Sequence, residues 1–202
     1  AQVVRSGANY EESIEAAIAD AKSNEAIHLA DGSWPGYIDP PRLVMEGYTI
    51  MAKELCDEFE RLNDWPTHVY LQAGVGGFAG AVAFEIRKSW RVQPKIIIVE
   101  PDAAPCLKQS IEHGKILTVE GPVSEMGRLD CKTPSMLAFD ILSEAANEFC
   151  LITEEQAQNA ARLSNEMGLA TSPSGAAGLA ALLANPHKDA SSLVFFTEGS
   201  VN

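Results

Sequence analysis

The chain has 202 residues, 46% of them hydrophobic, enough for one large domain or two small ones around a sizeable core, which sets disorder aside. Fifteen Lys and Arg against 28 Asp and Glu leave a formal charge of −13, which repels a nucleic-acid backbone or an anionic membrane surface. The longest run of Val, Leu and Ile alone, Ile96 to Val99, falls far short of the roughly 20 apolar residues of a membrane span, so a soluble, cytoplasmic protein is expected, with no nucleic-acid or membrane partner.

Ala1 to Tyr10 carries one charge, Arg5, and no apolar stretch of signal-peptide length. Ala1 to Val4 reads as a strand already under way, so the chain reads as cut from something longer, or processed. After the turn Gly7-Ala8-Asn9, the spacing of Ile14, Ala17, Ile18 and Ala21 predicts a helix. Ala26–Ala30 is a short strand candidate running into the turn formers Asp31-Gly32-Ser33-Trp34-Pro35-Gly36. Pro40-Pro41 opens a helix that Leu43, Val44, Tyr48, Met51, Leu55 and Phe59 carry to about Arg61.

The best-defined unit comes next. Thr67 to Leu71 is β-branched and aromatic, Gly74 to Gly80 is glycine-rich, Ala81 to Trp90 is amphipathic, and Lys95 to Val99 is a buried-type strand. Beyond it the pattern predicts a helix at Ala104–His113, a weak strand at Ile116–Val119 and a turn-rich segment at Gly121–Pro134. A helix from Ser135 to about Asn147 and a strand at Phe149–Ile152 follow. Thr153-Glu154-Glu155-Gln156 caps a helix ending at Gly168, Ser174–Ala184 is a small-residue helix, and Ser192–Phe196 is a last strand before Thr197-Glu198-Gly199-Ser200. Alternating strands and helices predict an α/β fold with a parallel sheet covered on both faces, three layers in all.

Four cysteines (Cys56, Cys106, Cys131, Cys150) and four histidines are dispersed without metal-ligand spacing, so free thiols in a reducing compartment and no metal are expected. The chemistry concentrates in Leu71 to Gly80, where a strand turns into a helix. Glycines there admit a ligand close to the backbone, and the helix's first N–H groups, aligned with its dipole, make a site for an anion such as phosphate. The spacing Gly74-x-Gly76-x-x-Ala79 also fits the dinucleotide fingerprint, with Glu100 placed where a ribose-binding acid would sit. Spacing alone leaves both open, alongside a glycine turn that merely packs helix on strand.

Four segments in order, Gln72–Gly80, Ile98-Val99-Glu100-Pro101-Asp102, Ser174-Gly175-Ala176-Ala177-Gly178 and Thr197-Glu198-Gly199, resemble the second half of the fold-type II pyridoxal-phosphate enzymes. That is the group of threonine dehydratase and the tryptophan synthase β chain. Asn9–Ser13, Asp31–Tyr37, Met45–Tyr48 and Met126–Lys132 resemble, more narrowly, the diaminopropionate ammonia-lyases, and the likeness runs over essentially the whole chain.

The resemblance implies pyridoxal 5'-phosphate as cofactor, its phosphate held by backbone N–H groups of Gly74, Val75, Gly76, Gly77 and Phe78. Thr197 would stand where a hydroxyl meets the pyridine nitrogen, and Asp31 would be the acidic residue that attracts substrate amino groups or moves a proton. The implied reaction is α,β-elimination of 2,3-diaminopropionate to pyruvate and ammonia, with a small amino acid as substrate and a homodimer as assembly. Serine or threonine dehydration, an NAD-binding oxidoreductase and a non-catalytic phosphate-binding module are the alternatives.

Departures from the pattern matter too. Such a lyase needs a lysine to hold the cofactor covalently and to move the α-proton. None of Lys22, Lys53, Lys88, Lys95, Lys108, Lys115, Lys132 and Lys188 lies in a segment resembling that motif, which in these enzymes is upstream. Ser172 stands where many relatives have Glu, and Cys106 stands where metal-binding relatives carry a carboxylate. The chain is therefore expected to be roughly the second half of an enzyme, with residues 1–24 ending a small domain and 25–202 forming the large cofactor-anchoring domain. It would be inactive without the amino-terminal part.

Overall fold

A computed structural model describes residues 2–8 and 10–199, so Ala1 of the expected first strand, Asn9 of the following turn and Ser200 lie outside the described residues. The elements are α1 (Tyr10–Ser23), α2 (Asp39–Leu62), β1 (His68–Gln72), α3 (Gly77–Ser89), β2 (Lys95–Pro101), α4 (Cys106–Glu112), α5 (Met136–Ala145), β3 (Glu148–Ile152), α6 (Glu154–Glu166), α7 (Ala177–Ala184) and β4 (Ser192–Val194). The four strands form one parallel sheet in the order β3-β2-β1-β4.

The two central strands are buried on both faces, and their side chains alternate between two cores as strand periodicity requires. Val69, Leu71, Ile96 and Ile98 point to one core with residues of α2, α3 and α5. Tyr70, Ile97 and Val99 point to the other, filled by the small residues of α6 and α7: Ala157, Ala160, Ala161, Ala177, Ala180 and Ala181. This is the expected three-layer α/β architecture. Each fully buried aliphatic side chain such as Ile98 contributes about 1.5–3 kcal/mol of burial.

Local chemistry sets the helix ends. Pro40 and Pro41 sit in the first turn of α2, where the missing N–H costs nothing, and Asn63 closes it in the left-handed conformation at φ 50°. Thr153 and Gln156 form the expected reciprocal cap of α6. The indole N–H of Trp90 donates to the Ala52 carbonyl at 3.0 Å and ties α3 to α2.

Three expected strands are absent. Val3–Val4, Ala26–Ala30 and Ile116–Val119 are irregular, with Val3, Val4, Ile27 and Leu29 at least 74% exposed. An apolar run becomes a strand only with a neighbour to pair with, and none of these segments pairs with the described sheet. Similarly α1 forms as expected but buries none of its residues. The sheet also releases its last strand early: Phe195 leaves β4 to pack edge-on against Phe78 at 5.7 Å. Among the described residues no helix is long and apolar enough to cross a membrane.

Candidate active site

The chain moves outward from β1 to β2 to β3, then returns to the far side of β1 to add β4. At such a reversal of a parallel sheet the loops leaving neighbouring strands part, and a crevice opens at the carboxyl ends of the strands. A cavity of about 620 Å³ occupies that place. Its walls include Gln72 at the end of β1, the loop Ala73–Phe78, Thr197 and Glu198 beyond β4, and Tyr10, Asp31 and Arg128 from three further segments. Asp31, Gly74, Val75, Gly76, Gly77, Phe78 and Thr197, separated by up to 166 positions in sequence, thus share one cavity.

The glycine loop runs straight into α3, which starts at Gly77 rather than the expected Ala81. Gly76 occupies the N-cap with φ 95° and ψ 0° and offers no capping side chain. Among the described residues, no protein acceptor takes the N–H groups of Gly77, Phe78 and Ala79, the first turn of a 13-residue helix. A helix beginning this way leaves its positive end for an anion. One other amide of the segment is already engaged: Ala73 donates to Val99 O at 2.9 Å. Gly74 is a glycine for packing, since a Cβ there would lie 2.9 Å from Arg128 O and 3.0 Å from Cys131 Sγ.

Asp31 is held in place by its neighbours. Ser33 donates through its N–H to Ser135 Oγ at 3.0 Å, while its own Oγ and carbonyl accept the N–H groups of Leu137 and Met136, both at 2.9 Å. Ser33 therefore caps α5 from a distant loop, and Ser135 N–H donates to Val75 O at 2.9 Å, joining that cap to the glycine loop. On the other side, Trp34 stacks on Tyr37 at 4.3 Å, and the Tyr37 hydroxyl accepts from Ala30 N at 2.8 Å and donates to His28 O at 3.1 Å.

Tyr10 was not singled out by the sequence as a site residue. Its hydroxyl donates to Asp31 Oδ1 at 2.8 Å, and burial together with the Asp31 charge pushes its acidity well above the usual phenol range, so it stays a donor. Its place in the segment Asn9–Ser13, already noted for its likeness to lyases, was the available signal. Gln72, which opens the glycine segment, is 3% exposed, and its Nε2 donates to Phe195 O at 3.0 Å and Thr197 Oγ1 at 3.1 Å. Ser172, the departure noted above, donates to the Glu198 carboxylate, which also receives Arg128 Nε at 3.2 Å.

Cys131 lines the cavity, but burial and then the Asp31 charge push its thiol up to about 12, so it remains a neutral wall. None of the eight lysines lines the cavity; Lys132 is turned away onto Ala103 O, Pro122 O and Asp130. Glu100 is not placed to meet a ribose. It is fully buried, and its two oxygens accept Leu107 N at 2.8 Å and Lys108 N at 2.9 Å at the start of α4. The dinucleotide reading loses its acid for that reason.

The residues present fit a phosphate ester joined to a flat ring: unpaired amides for the phosphate, and a hydroxyl in the same cavity for a polar ring atom. Comparison with known proteins agrees. The family model described as "Pyridoxal-phosphate dependent enzyme" matches residues 1–198. A diaminopropionate ammonia-lyase of Escherichia coli K12 is 31% identical over 223 residues, covering 100% of this chain and 56% of that protein. An L-threonine ammonia-lyase of Geobacter sulfurreducens is 29% identical, covering 91% and 43%. The crystal structure of the Escherichia coli diaminopropionate ammonia lyase in complex with D-serine superposes with a TM-score of 0.82 at 30% identity, over 96% of this chain and 54% of that one. The chain spans about half the length of the relatives it matches. On sequence, fold and site together, the chain belongs to the family of pyridoxal-phosphate-dependent enzymes, with pyridoxal phosphate as its cofactor.

Proposed function

We propose that this chain is the cofactor-anchoring part of a carbon–nitrogen lyase that eliminates ammonia from 2,3-diaminopropionate and yields pyruvate and ammonia. One observation carries the reading: a carboxylate, Asp31, faces the same cavity as an anion-binding helix end and a hydroxyl. When bound, pyridoxal phosphate would supply a sink for the negative charge left at the substrate's Cα. The amides of Gly77, Phe78 and Ala79 would hold the phosphate, with the rest of Gly74–Phe78 shaping its cradle. Thr197 would hydrogen-bond the ring nitrogen.

Asp31 would recognise the substrate's second amino group. With Oδ1 accepting from Tyr10, its remaining lone pairs can hold an ammonium and return a proton to the departing nitrogen. A hydroxyl leaving group gains less from a carboxylate, which favours the diamine over serine or threonine. The lysine that takes the α-proton would come from an amino-terminal part of the same enzyme, in keeping with a cavity that no lysine of this chain lines. On that reading residues 1–24 close a small domain, residues 25–202 belong to the large one, and the complete enzyme is a cytoplasmic homodimer.

The test is pyruvate release by the complete enzyme from diaminopropionate, serine and threonine, with and without Asp31→Asn. The expected outcome is preference for diaminopropionate and a loss in Asp31→Asn of at least tenfold, at an unchanged cofactor content. Equal turnover by the variant removes Asp31 from the reaction, and preference for serine or threonine replaces the diamine reading by dehydration.

A further inference from the structure

Gln72 is buried at the carboxyl end of β1, where a glutamine needs a reason. Its amide faces three acceptors: Phe195 O at 3.0 Å, Thr197 Oγ1 at 3.1 Å and Gly175 O at 3.4 Å. Two of these are carbonyl oxygens, which can only accept. The nitrogen must therefore point at them, because the flipped amide would set oxygen against oxygen. Its Oε1 is left buried without a partner, 3.2 Å from where a Cβ on Gly178 would stand. A hydrocarbon of the same shape would remove that unsatisfied acceptor, so the amide is kept here for its donors.

The consequence falls on Thr197. A hydroxyl oxygen that accepts from Gln72 keeps its own hydrogen for another partner, and among the described residues no protein acceptor takes it. Thr197 lines the cavity. We propose that Gln72 is a positioning residue that fixes the Thr197 hydroxyl as a hydrogen-bond donor toward the cofactor's ring nitrogen, and so keeps that nitrogen unprotonated.

A hydroxyl left to itself can turn either way, donating to an unprotonated nitrogen or accepting from a protonated one. Gln72 favours the first choice, since it takes one of the oxygen's two lone pairs and, being a donor there, leaves the hydroxyl hydrogen to point into the cavity. A ring without a proton withdraws charge from the substrate's Cα less strongly, which suits loss of a β-substituent over reactions that need a long-lived carbanion. The inference rests on the placement of the cofactor ring proposed above, and its test separates the two.

The protein is titrated with pyridoxal 5'-phosphate carrying nitrogen-15 in the ring, and the nitrogen resonance is read at neutral pH. The wild-type protein should show an unprotonated, hydrogen-bonded ring nitrogen. Gln72→Met, which keeps the length and removes the donors, should let the Thr197 hydroxyl turn to Phe195 O or Gly175 O. The resonance should then move downfield toward that of an unbonded pyridine. Thr197→Val should give a similar downfield shift alone and add little in the Gln72→Met background, as coupled residues do.

A pyridinium resonance in the wild-type protein overturns the inference without any variant. So does a Gln72→Met resonance identical to wild type, or a Thr197→Val shift of equal size in both backgrounds, while the cofactor still binds. Failure to take up the cofactor at all overturns the placement of the ring and this inference with it.

Discussion

Gly76 carries the sharpest test of the cavity's geometry. An alanine there would have to adopt φ near 95°, which disfavours any L side chain by about 1–2 kcal/mol. Its Cβ would stand 2.9 Å from both Ala138 Cβ and Leu107 Cδ1, and overpacking of that kind costs about 1–3 kcal/mol. Together these give a loss of about 2–5 kcal/mol, a large share of the 5–15 or so that stabilises a typical domain. At about 2–4 °C per kcal/mol for a chain of this size, Gly76→Ala should melt roughly 4–20 °C lower. Gly77→Ala is the control. Its nearest neighbours would be Met45 Cγ at 3.8 Å and Asp31 O at 3.9 Å, it has no positive φ, and it begins a helix, so its melting temperature should be unchanged or slightly raised. Thermal unfolding followed by circular dichroism reads both. A Gly76→Ala protein that melts within about 2 °C of its parent would show that the turn is not the one described, and the anion site would lose its basis.

Tyr10→Phe removes the hydrogen bond to Asp31 but leaves the ring. A bond to a charged group contributes about 1.5–3 kcal/mol, and the exposure of Asp31 points to the lower end, so diaminopropionate turnover in the complete enzyme should fall about tenfold. Pyruvate release measures it, and an unchanged rate would detach Tyr10 from the chemistry. Glu100 predicts a pH dependence of folding. Burial raises its carboxyl from 4.5 to about 7 against the two N–H bonds it accepts, so the native state binds this proton more tightly than the unfolded chain. Its contribution is full below pH 4.5 and is lost as pH rises through about 7, by about 3 kcal/mol in all. Denaturant midpoints across that range should decline for the wild-type chain relative to Glu100→Gln; parallel profiles would mean that the carboxylate stays charged as the α4 cap.

The unit β1–loop–α3–β2 was legible because its signals agree: strands buried on both faces have no polar alternation, and the glycines between them mark where strand gives way to helix. The three failed strands share the opposite condition. Val3–Val4, Ala26–Ala30 and Ile116–Val119 have apolar composition, but whether such a run pairs depends on which edge lies beside it, and composition carries no record of that. The cavity divides along the same line. The glycine loop, Asp31 and Thr197 were found through ordered motifs. The bonds of Tyr10 to Asp31 and of Gln72 to Thr197 span 21 and 125 positions and exist only once the sheet has formed. Glu100 misled for a related reason, since an acid at a strand end serves a ligand or the next helix according to where its oxygens turn.

The cap that Ser33 lends to α5 has a further consequence. One hydroxyl holds the start of a core helix in register and anchors a loop two residues from the carboxylate that would read the substrate. Damage at Ser33 or at its companion Ser135 would therefore be felt twice, by calorimetry as a weakened fold and by assays as a displaced Asp31. A survey of tolerated changes would mislabel both serines as contacts of a molecule that neither of them reaches.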